Sequence, residues 1–186
     1  MKLSIPSLAI WTVTVVVVTA PRPARAQTPT MPPTDLSIGY QTLHIPGQNY
    51  PVGVAVGLTH GLTDILRIAG EVGLSIDQNS GPNLDGTLTF YQYGIGPRLI
   101  ASSGRVLPFA QVLVGGVHSR ADLTRSGGTA FSASTNAFML QPGAGVIVAV
   151  SRTFGVVGAV NYRRAFFQDD PDNETSVFAG VRIAFR

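Results

Sequence analysis

The sequence predicts an all-β fold, an eight-stranded antiparallel up-and-down β-barrel that spans a membrane. Three observations predict it. Beyond residue 26 the chain carries ten Arg and ten Asp plus Glu, with neither Lys nor Cys. That stretch alternates residue by residue, with aliphatic and aromatic side chains on one face and Gly, Ala, Ser, Gln and a few charges on the other. Its candidate strands mostly exceed the usual length of a soluble strand and reach the ~9–11 residues that a tilted membrane strand needs. A soluble surface carries charge in quantity, whereas a wall facing hydrocarbon excludes it.

The leader comes first. Met1-Lys2 is a short basic start, Leu8–Val18 is apolar with the run Val15-Val16-Val17-Val18, and Ala24-Arg25-Ala26 is an A-x-A-type cleavage site. Residues 1–26 therefore read as a cleavable signal peptide, with Gln27 as the mature N-terminus. Ser4, Pro6, Ser7, Thr12, Thr14 and Thr19 interrupt the ~20 apolar residues that a spanning helix wants. Lys2, Arg22 and Arg25 account for the whole +3 net charge, so the mature chain is balanced and its basicity is no argument for nucleic acid. Absence of Cys excludes a disulfide framework and thiolate metal sites. Gln27–Thr34 is a proline-rich tether read as disordered, and residues 35–186 form one domain.

Each strand is justified by its alternation. The first, Asp35–Ile45, sets Leu36, Ile38 and Tyr40 against Ser37, Gly39 and Gln41. The second, Pro51–Thr59, sets Val52, Val54, Val56 and Leu58 against Gly53, Ala55, Gly57 and Thr59. The third, Ile65–Asp77, opposes Leu66, Ile68, Val72, Leu74 and Ile76 to Arg67, Ala69, Glu71, Gly73 and Ser75. The fourth, Gly86–Ala101, opposes Tyr91, Tyr93, Ile95 and Leu99 to Phe90, Gln92, Gly94, Gly96 and Arg98. The fifth and sixth, Val106–Arg120 and Ser134–Val150, alternate less cleanly. The seventh, Thr153–Gln168, sets Phe154, Val156, Val160 and Tyr162 against Val157, Ala159, Asn161 and Arg163; the eighth, Glu174–Phe185, sets Val177, Val181, Ile183 and Phe185 against Ser176, Gly180, Arg182 and Ala184.

The connections alternate as well. His60–Asp64, Ser102–Arg105 and Ser151-Arg152 are tight, whereas Gln78–Asp85, Ala121–Ala133 and Asp169–Asn173 are longer and polar. Short turns at one end and longer loops at the other are the asymmetry of a membrane barrel, with Ala121–Ala133 the loop expected to be mobile. Pro97, Pro108 and Pro142 fall inside predicted strands, where bulges or bends are expected because proline removes a ladder donor.

Alternation alone does not say which face is inside. The small, sparsely charged polar face suits a crowded lumen, since eight strands enclose only enough space for side chains. The apolar face carries Tyr40, Tyr91, Tyr93, Phe154, Tyr162 and Phe185, expected at membrane interfaces. Arg67, Glu71, Gln92, Arg98, Gln111, Asn161, Arg163 and Arg182, with Gln141, then form a polar network in the lumen. Glu71 is the one acid placed in mid-strand there, so water or loop acids at the rim are expected to balance the arginines. A soluble lipocalin-like barrel is the mirror image of this arrangement, with Arg67 and Glu71 outside and Ile68 and Val72 inside.

The order Pro108-Phe109-Ala110-Gln111-Val112-Leu113-Val114-Gly115-Gly116-Val117-His118, Gly143-Ala144-Gly145-Val146, Asn161-Tyr162-Arg163-Arg164 and Phe178-Ala179-Gly180-Val181-Arg182-Ile183-Ala184-Phe185 resembles the small outer-membrane β-barrel family related to the OmpA transmembrane domain and OmpX. The resemblance implies the bacterial outer membrane, contact with its lipid and lipopolysaccharide, a monomer, and recognition of the C-terminal strand by the barrel-assembly machinery. It carries no catalytic signature.

The remaining chemistry is thin. His44, His60 and His118 are scattered, and adjacent His118 and Ser119 point to opposite faces of one strand, which suits no nucleophile–base pair. Asp169, Asp170, Asp172, Asn173 and Glu174 lack the spacing of a calcium loop and read as a solvated acidic loop. No catalytic residue, metal or cofactor is expected. The expected function is non-enzymatic: a structural, adhesion or interaction role through the outer loops. A lipid A-modifying enzyme and a narrow anion-preferring pore compete with it, alongside the soluble barrel.

Overall fold

The computed structural model describes residues 34–45, 48–50, 52–81, 84–101, 104–125, 130–167 and 171–185. The expected signal peptide, and the tether up to residue 33, lie outside the described residues. Nine strand segments follow in order: β1 (Thr34–Ile45), β2 (Gln48–Tyr50), β3 (Val52–Gly61), β4 (Leu66–Gly81), β5 (Leu84–Ile100), β6 (Val106–Arg125), β7 (Ala130–Ala149), β8 (Phe154–Phe166) and β9 (Pro171–Phe185). All neighbours are antiparallel, and β1 pairs with β9 from Thr34↔Phe185 to His44↔Thr175, which closes the sheet. Since β2 and β3 both pair with the same side of β1, the nine segments build eight staves. The barrel begins at Thr34, one residue into the expected tether.

Burial alternates along the staves with a period of two. In β8 every second residue from Gly155 to Ala165 faces the interior, and the intervening Phe154, Val156, Val160, Tyr162 and Phe166 face outward. The outward set elsewhere includes Ile38, Val54, Leu58, Ile68, Val72, Ile95, Leu99, Val177 and Val181. Arg67 is 2% exposed while Ile68 is 43% and Val72 56% exposed, which excludes the lipocalin-like arrangement. A closed barrel with this apolar exterior is a membrane-spanning wall, because only closure satisfies every backbone group in lipid.

The three connections expected to be tight lie at one end, together with Thr34 and Phe185. Their chain reversals are pinned by hydroxyls: Thr63 Oγ1 accepts from the Ile65 and Leu66 amides (3.3 and 2.9 Å), and Ser151 Oγ accepts from those of Thr153 and Phe154 (3.2 and 3.0 Å). Gly104, at φ +65°, supplies the left-handed residue of the third turn.

The prolines behave differently from expectation. The β5–β6 register runs from Ile95↔Val114 to Arg98↔Gln111, and the β7–β8 register from Leu140↔Arg164 to Gly143↔Asn161, with no extra residue on either side. Pro97 and Pro142 are therefore accommodated by opening two rungs on one flank while the other flank stays paired, and Pro108 pairs with Val146 near the start of β6. A bulge occurs elsewhere. The register along β1 changes by one residue between Tyr40↔Val54 and Leu43↔Tyr50.

The seam between β1 and β9 is close-packed. Gly39 lies opposite Gly180, and a Cβ built on Gly180 would come within 2.8 Å of both Gly39 Cα and Phe178 Cζ. Gly180→Val is expected to lower unfolding stability by about 1–3 kcal/mol through overpacking, measured by urea unfolding in lipid vesicles.

Candidate functional site

Two features compete as the working part of the molecule: the filled lumen and the strands that rise above its rim. The lumen is built by the inward residues of all eight staves. At the turn end, Asp35 of β1 accepts from Arg67 Nη1 of β4 (2.9 Å) and Arg182 Nη2 of β9 (3.2 Å). Arg98 of β5 donates through Nε to Gln111 Oε1 (2.9 Å) and through Nη1 to Thr59 Oγ1 (3.0 Å), with its guanidinium 4.5 Å from the Phe109 ring centroid. Gln111 continues to Asn161 Oδ1 (3.2 Å) and Asn161 to Ser176 Oγ (3.4 Å).

Arg163 organises the middle layer. Its Nη1 donates to Glu174 Oε2 (2.9 Å), its Nε to Gln141 Oε1 (2.9 Å), and its Nη2 to Gln92 Oε1. Gln92 and Gln141 each pass a hydrogen bond to Glu71 Oε1 (both 3.2 Å), and Gln92 also donates to Gln41 Oε1 (3.1 Å). The planar guanidinium presents donors in several directions at once, which is how one cation ties three staves together.

Apolar side chains close this network from both ends. Ile100, Leu107, Phe109, Ile147, Val157 and Ala159 pack near the turns, and Leu43, Phe90, Val117, Ala137, Met139 and Ala165 pack toward the hairpins. Between Glu71, Arg98 and Phe109 a cavity of about 10 Å³ remains, room for roughly one water. The arrangement locks the staves together.

All eight residues expected in the lumen face inward; seven are buried and Glu71 is partly buried. Two acids were missing from that expectation. Asp35 and Glu174 are 2% and 1% exposed and take the arginines that loop acids or water were expected to balance. Glu174 is thus a lumen residue and not part of a solvated acidic loop; Asp169 and Asp170 lie outside the described residues. Both acids have the inward parity of their strands, so the period-two count from Ser37 and Ser176 was the signal that could have found them. The aromatics expected on the membrane face, Tyr40, Tyr91, Tyr93, Phe154, Tyr162 and Phe185, all point outward and are 45–60% exposed. On β6, outward His118 shares a hydrogen bond with Asn136 Oδ1 (2.8 Å) beside the Tyr91 ring, while Ser119 turns to the other face. Among the described residues no group of His, Asp and Glu has a metal-binding arrangement.

The second feature is a raised sheet. Of the expected loops Gln78–Asp85 and Ala121–Ala133, residues 78–81, 84–85, 121–125 and 130–133 are strand, and 82–83 and 126–129 lie outside the described residues. Pairing continues to Gly81↔Leu84, Leu84↔Arg125 and Thr124↔Ala130. Above the membrane both faces of a strand are solvated, so the alternation that marks a strand in sequence fades. The β7–β8 ladder, by contrast, starts only at Phe138↔Phe166. Residues 130–137 of β7 are therefore paired with β6 alone, and leave a free edge toward the β8 side among the described residues.

Arg163→Ala strands Glu174 without its cation and is expected to cost about 3–5 kcal/mol, whereas replacing both partners by Leu costs much less; urea unfolding of the two variants and wild type in vesicles measures the difference. The packed lumen is further expected to give no steady conductance in planar bilayers, and sustained single-channel steps would contradict it.

The sequence matches no protein family and no curated protein. Among solved structures, the fold is similar to Ail, the attachment invasion locus protein of Yersinia pestis, with 18% identity, 82% of this chain and 99% of that chain covered, and a TM-score of 0.58. It is also similar to Neisserial surface protein A (15% identity, 82% and 96% covered, TM-score 0.59). A third similar structure is the outer membrane protein OprG from Pseudomonas aeruginosa (9% identity, 84% and 97% covered, TM-score 0.51). Together with the closed ladder and the inverted polarity of its two faces, these likenesses establish that the chain has the fold of the small eight-stranded outer-membrane β-barrels.

Proposed function

We propose that the protein is a non-enzymatic component of the bacterial outer membrane that acts as a surface interaction or adhesion module, exported through the leader that ends at Ala26. The carrying observation is the edge of β7 above the rim, which is free among the described residues. Residues 130–137 (Ala130-Phe131-Ser132-Ala133-Ser134-Thr135-Asn136-Ala137) contain no charge and no proline, the devices by which proteins ordinarily blunt an exposed edge. An edge of this kind recruits an extended segment of another protein through main-chain hydrogen bonds, with side-chain contacts adding selectivity. Leu123 and Phe131 stand directly opposite one another on the raised sheet and are 37% and 61% exposed, which supplies an apolar anchor beside that edge. The name of Ail, an attachment invasion locus protein, supports a role of the same kind.

The filled lumen favours a mechanical part for the barrel. A wall cross-braced by Arg163, Glu174 and Asp35 holds the raised strands at a fixed angle to the membrane. Recognition is then a property of the β6–β7 hairpin, and the barrel anchors it.

The test is adherence to immobilised extracellular-matrix proteins by bacteria that display the protein. A variant in which residues 122–132 are replaced by a two-residue turn is expected to keep the heat-modifiable gel mobility of a folded barrel and to lose most of the adherence. The double substitution Ala133→Lys and Thr135→Lys is expected to weaken it by obstructing strand addition. Undiminished adherence by the trimmed variant would refute this reading.

A further inference from the structure

We infer that Arg164, Asn173 and Tyr162 form a site for the phosphate of a lipid headgroup in the outer leaflet. The inference rests on the reading of the protein as an outer-membrane barrel and adds a ligand to its outward wall. From Phe154 to Arg164 the outward positions of β8 are Phe154, Val156, Gly158, Val160, Tyr162 and Arg164. Ten residues at about 3.3 Å each, on a strand tilted by roughly 40°, rise about 25 Å, the height of the apolar band. Arg164 therefore stands where hydrocarbon gives way to headgroups, on the side of the hairpins.

Its surroundings set it apart from the other outward arginine of the upper wall. Arg120 of β6 is paired with Asp122 at 2.8 Å. Arg164 has no carboxylate partner among the described residues; its guanidinium lies 5.6 Å from the Phe166 ring centroid, and Phe166 packs against Phe138 with centroids 6.0 Å apart. The aromatic face orients the guanidinium and leaves its N–H groups unspent.

A second donor stands beside it. Arg164 and Asn173 are directly opposed across the β8–β9 ladder, and both are exposed on the outward face. Directly opposed residues hold their Cβ atoms about 4.5–5.5 Å apart. The Tyr162 hydroxyl donates to Asn173 Oδ1 at 2.7 Å, which fixes the amide so that its Nδ2 group is the end left to donate. A delocalised cation and an oriented amide thus converge at headgroup depth. A phosphate accepts from both, in the two-pronged manner that guanidinium favours. Below Arg164 on the same outward face, Tyr162 and Val160, 47% and 55% exposed, suit the apolar part of a lipid beneath the phosphate.

The test uses the full barrel in phosphatidylcholine nanodiscs doped with bis-phosphorylated lipid A, with retained lipid A counted by native mass spectrometry. Wild type is expected to retain lipid A, and Arg164→Gln to retain roughly tenfold less, the scale of one charge-assisted pair. Arg164→Lys, which keeps the charge but not the fork, and Asn173→Ala are expected to fall between. Lipid A stripped of its phosphates should be retained by wild type no better than by Arg164→Gln. Equal retention by wild type and all three variants overturns the inference. So does retention that survives Arg164→Gln but is lost in EDTA, which would assign the headgroup to a bridging divalent cation. Competition by inorganic phosphate as effective as that by lipid A would assign the site to free phosphate and overturn the lipid source. Failure of wild type to insert into nanodiscs would instead strike the membrane reading, and this inference with it.

Discussion

Closure of the sheet through β1 and β9 is the constraint from which the rest of the structure follows. Once the ladder is continuous, no edge within the wall faces lipid, and the two faces of every strand acquire fixed and opposite environments. Apolar residues at alternate positions meet hydrocarbon. The others are shut into a space too narrow for bulk water, so every charge among them must be met by another side chain. The seam tolerates little bulk, which is why glycine faces glycine at Gly39 and Gly180.

Enclosure explains the composition of the lumen. Four arginines, Arg67, Arg98, Arg163 and Arg182, share the interior with Asp35, Glu71 and Glu174 and with a set of glutamine and asparagine amides. The amides accept from guanidinium and donate to carboxylate, and so relay charge between staves that do not touch: Gln92 and Gln141 join Arg163 to Glu71 in this way. Apolar layers on either side exclude water and strengthen each of these contacts. The packing that braces the barrel directs functional interest to its outer surfaces: the raised strand β7 and the polar fringe at Arg164.

Much of this was legible in the residues. Gly57 against Leu58, or Arg67 against Ile68, states the orientation of a stave once lipid is accepted as the outer solvent, and all eight polar residues assigned to the lumen face it. The errors are local and share a cause. Glu174 was grouped with the acidic run Asp169, Asp170 and Asp172 that precedes it, and Asp35, though placed at the start of the first strand, was left out of the lumen network; at a strand end the inward parity is marked from one side only. The raised hairpins were hidden because solvated strands lose the two-residue rhythm. The prolines at 97 and 142 were expected to break the register, yet one intact flank of each strand was enough to hold it.

The class of fold, the number of staves and the lipid-facing set were readable from residue order, because alternation along a strand is a local property and the aromatics and sparse charge told its two faces apart. Folding in three dimensions settled who pairs with whom inside, that Asp35 serves two arginines from different strands, that among the described residues β7 outruns β8 and leaves an edge, and that Arg164 stands opposite Asn173. These depend on register and shear, which are set by the sum of contacts around a closed ring and leave no mark in any single segment.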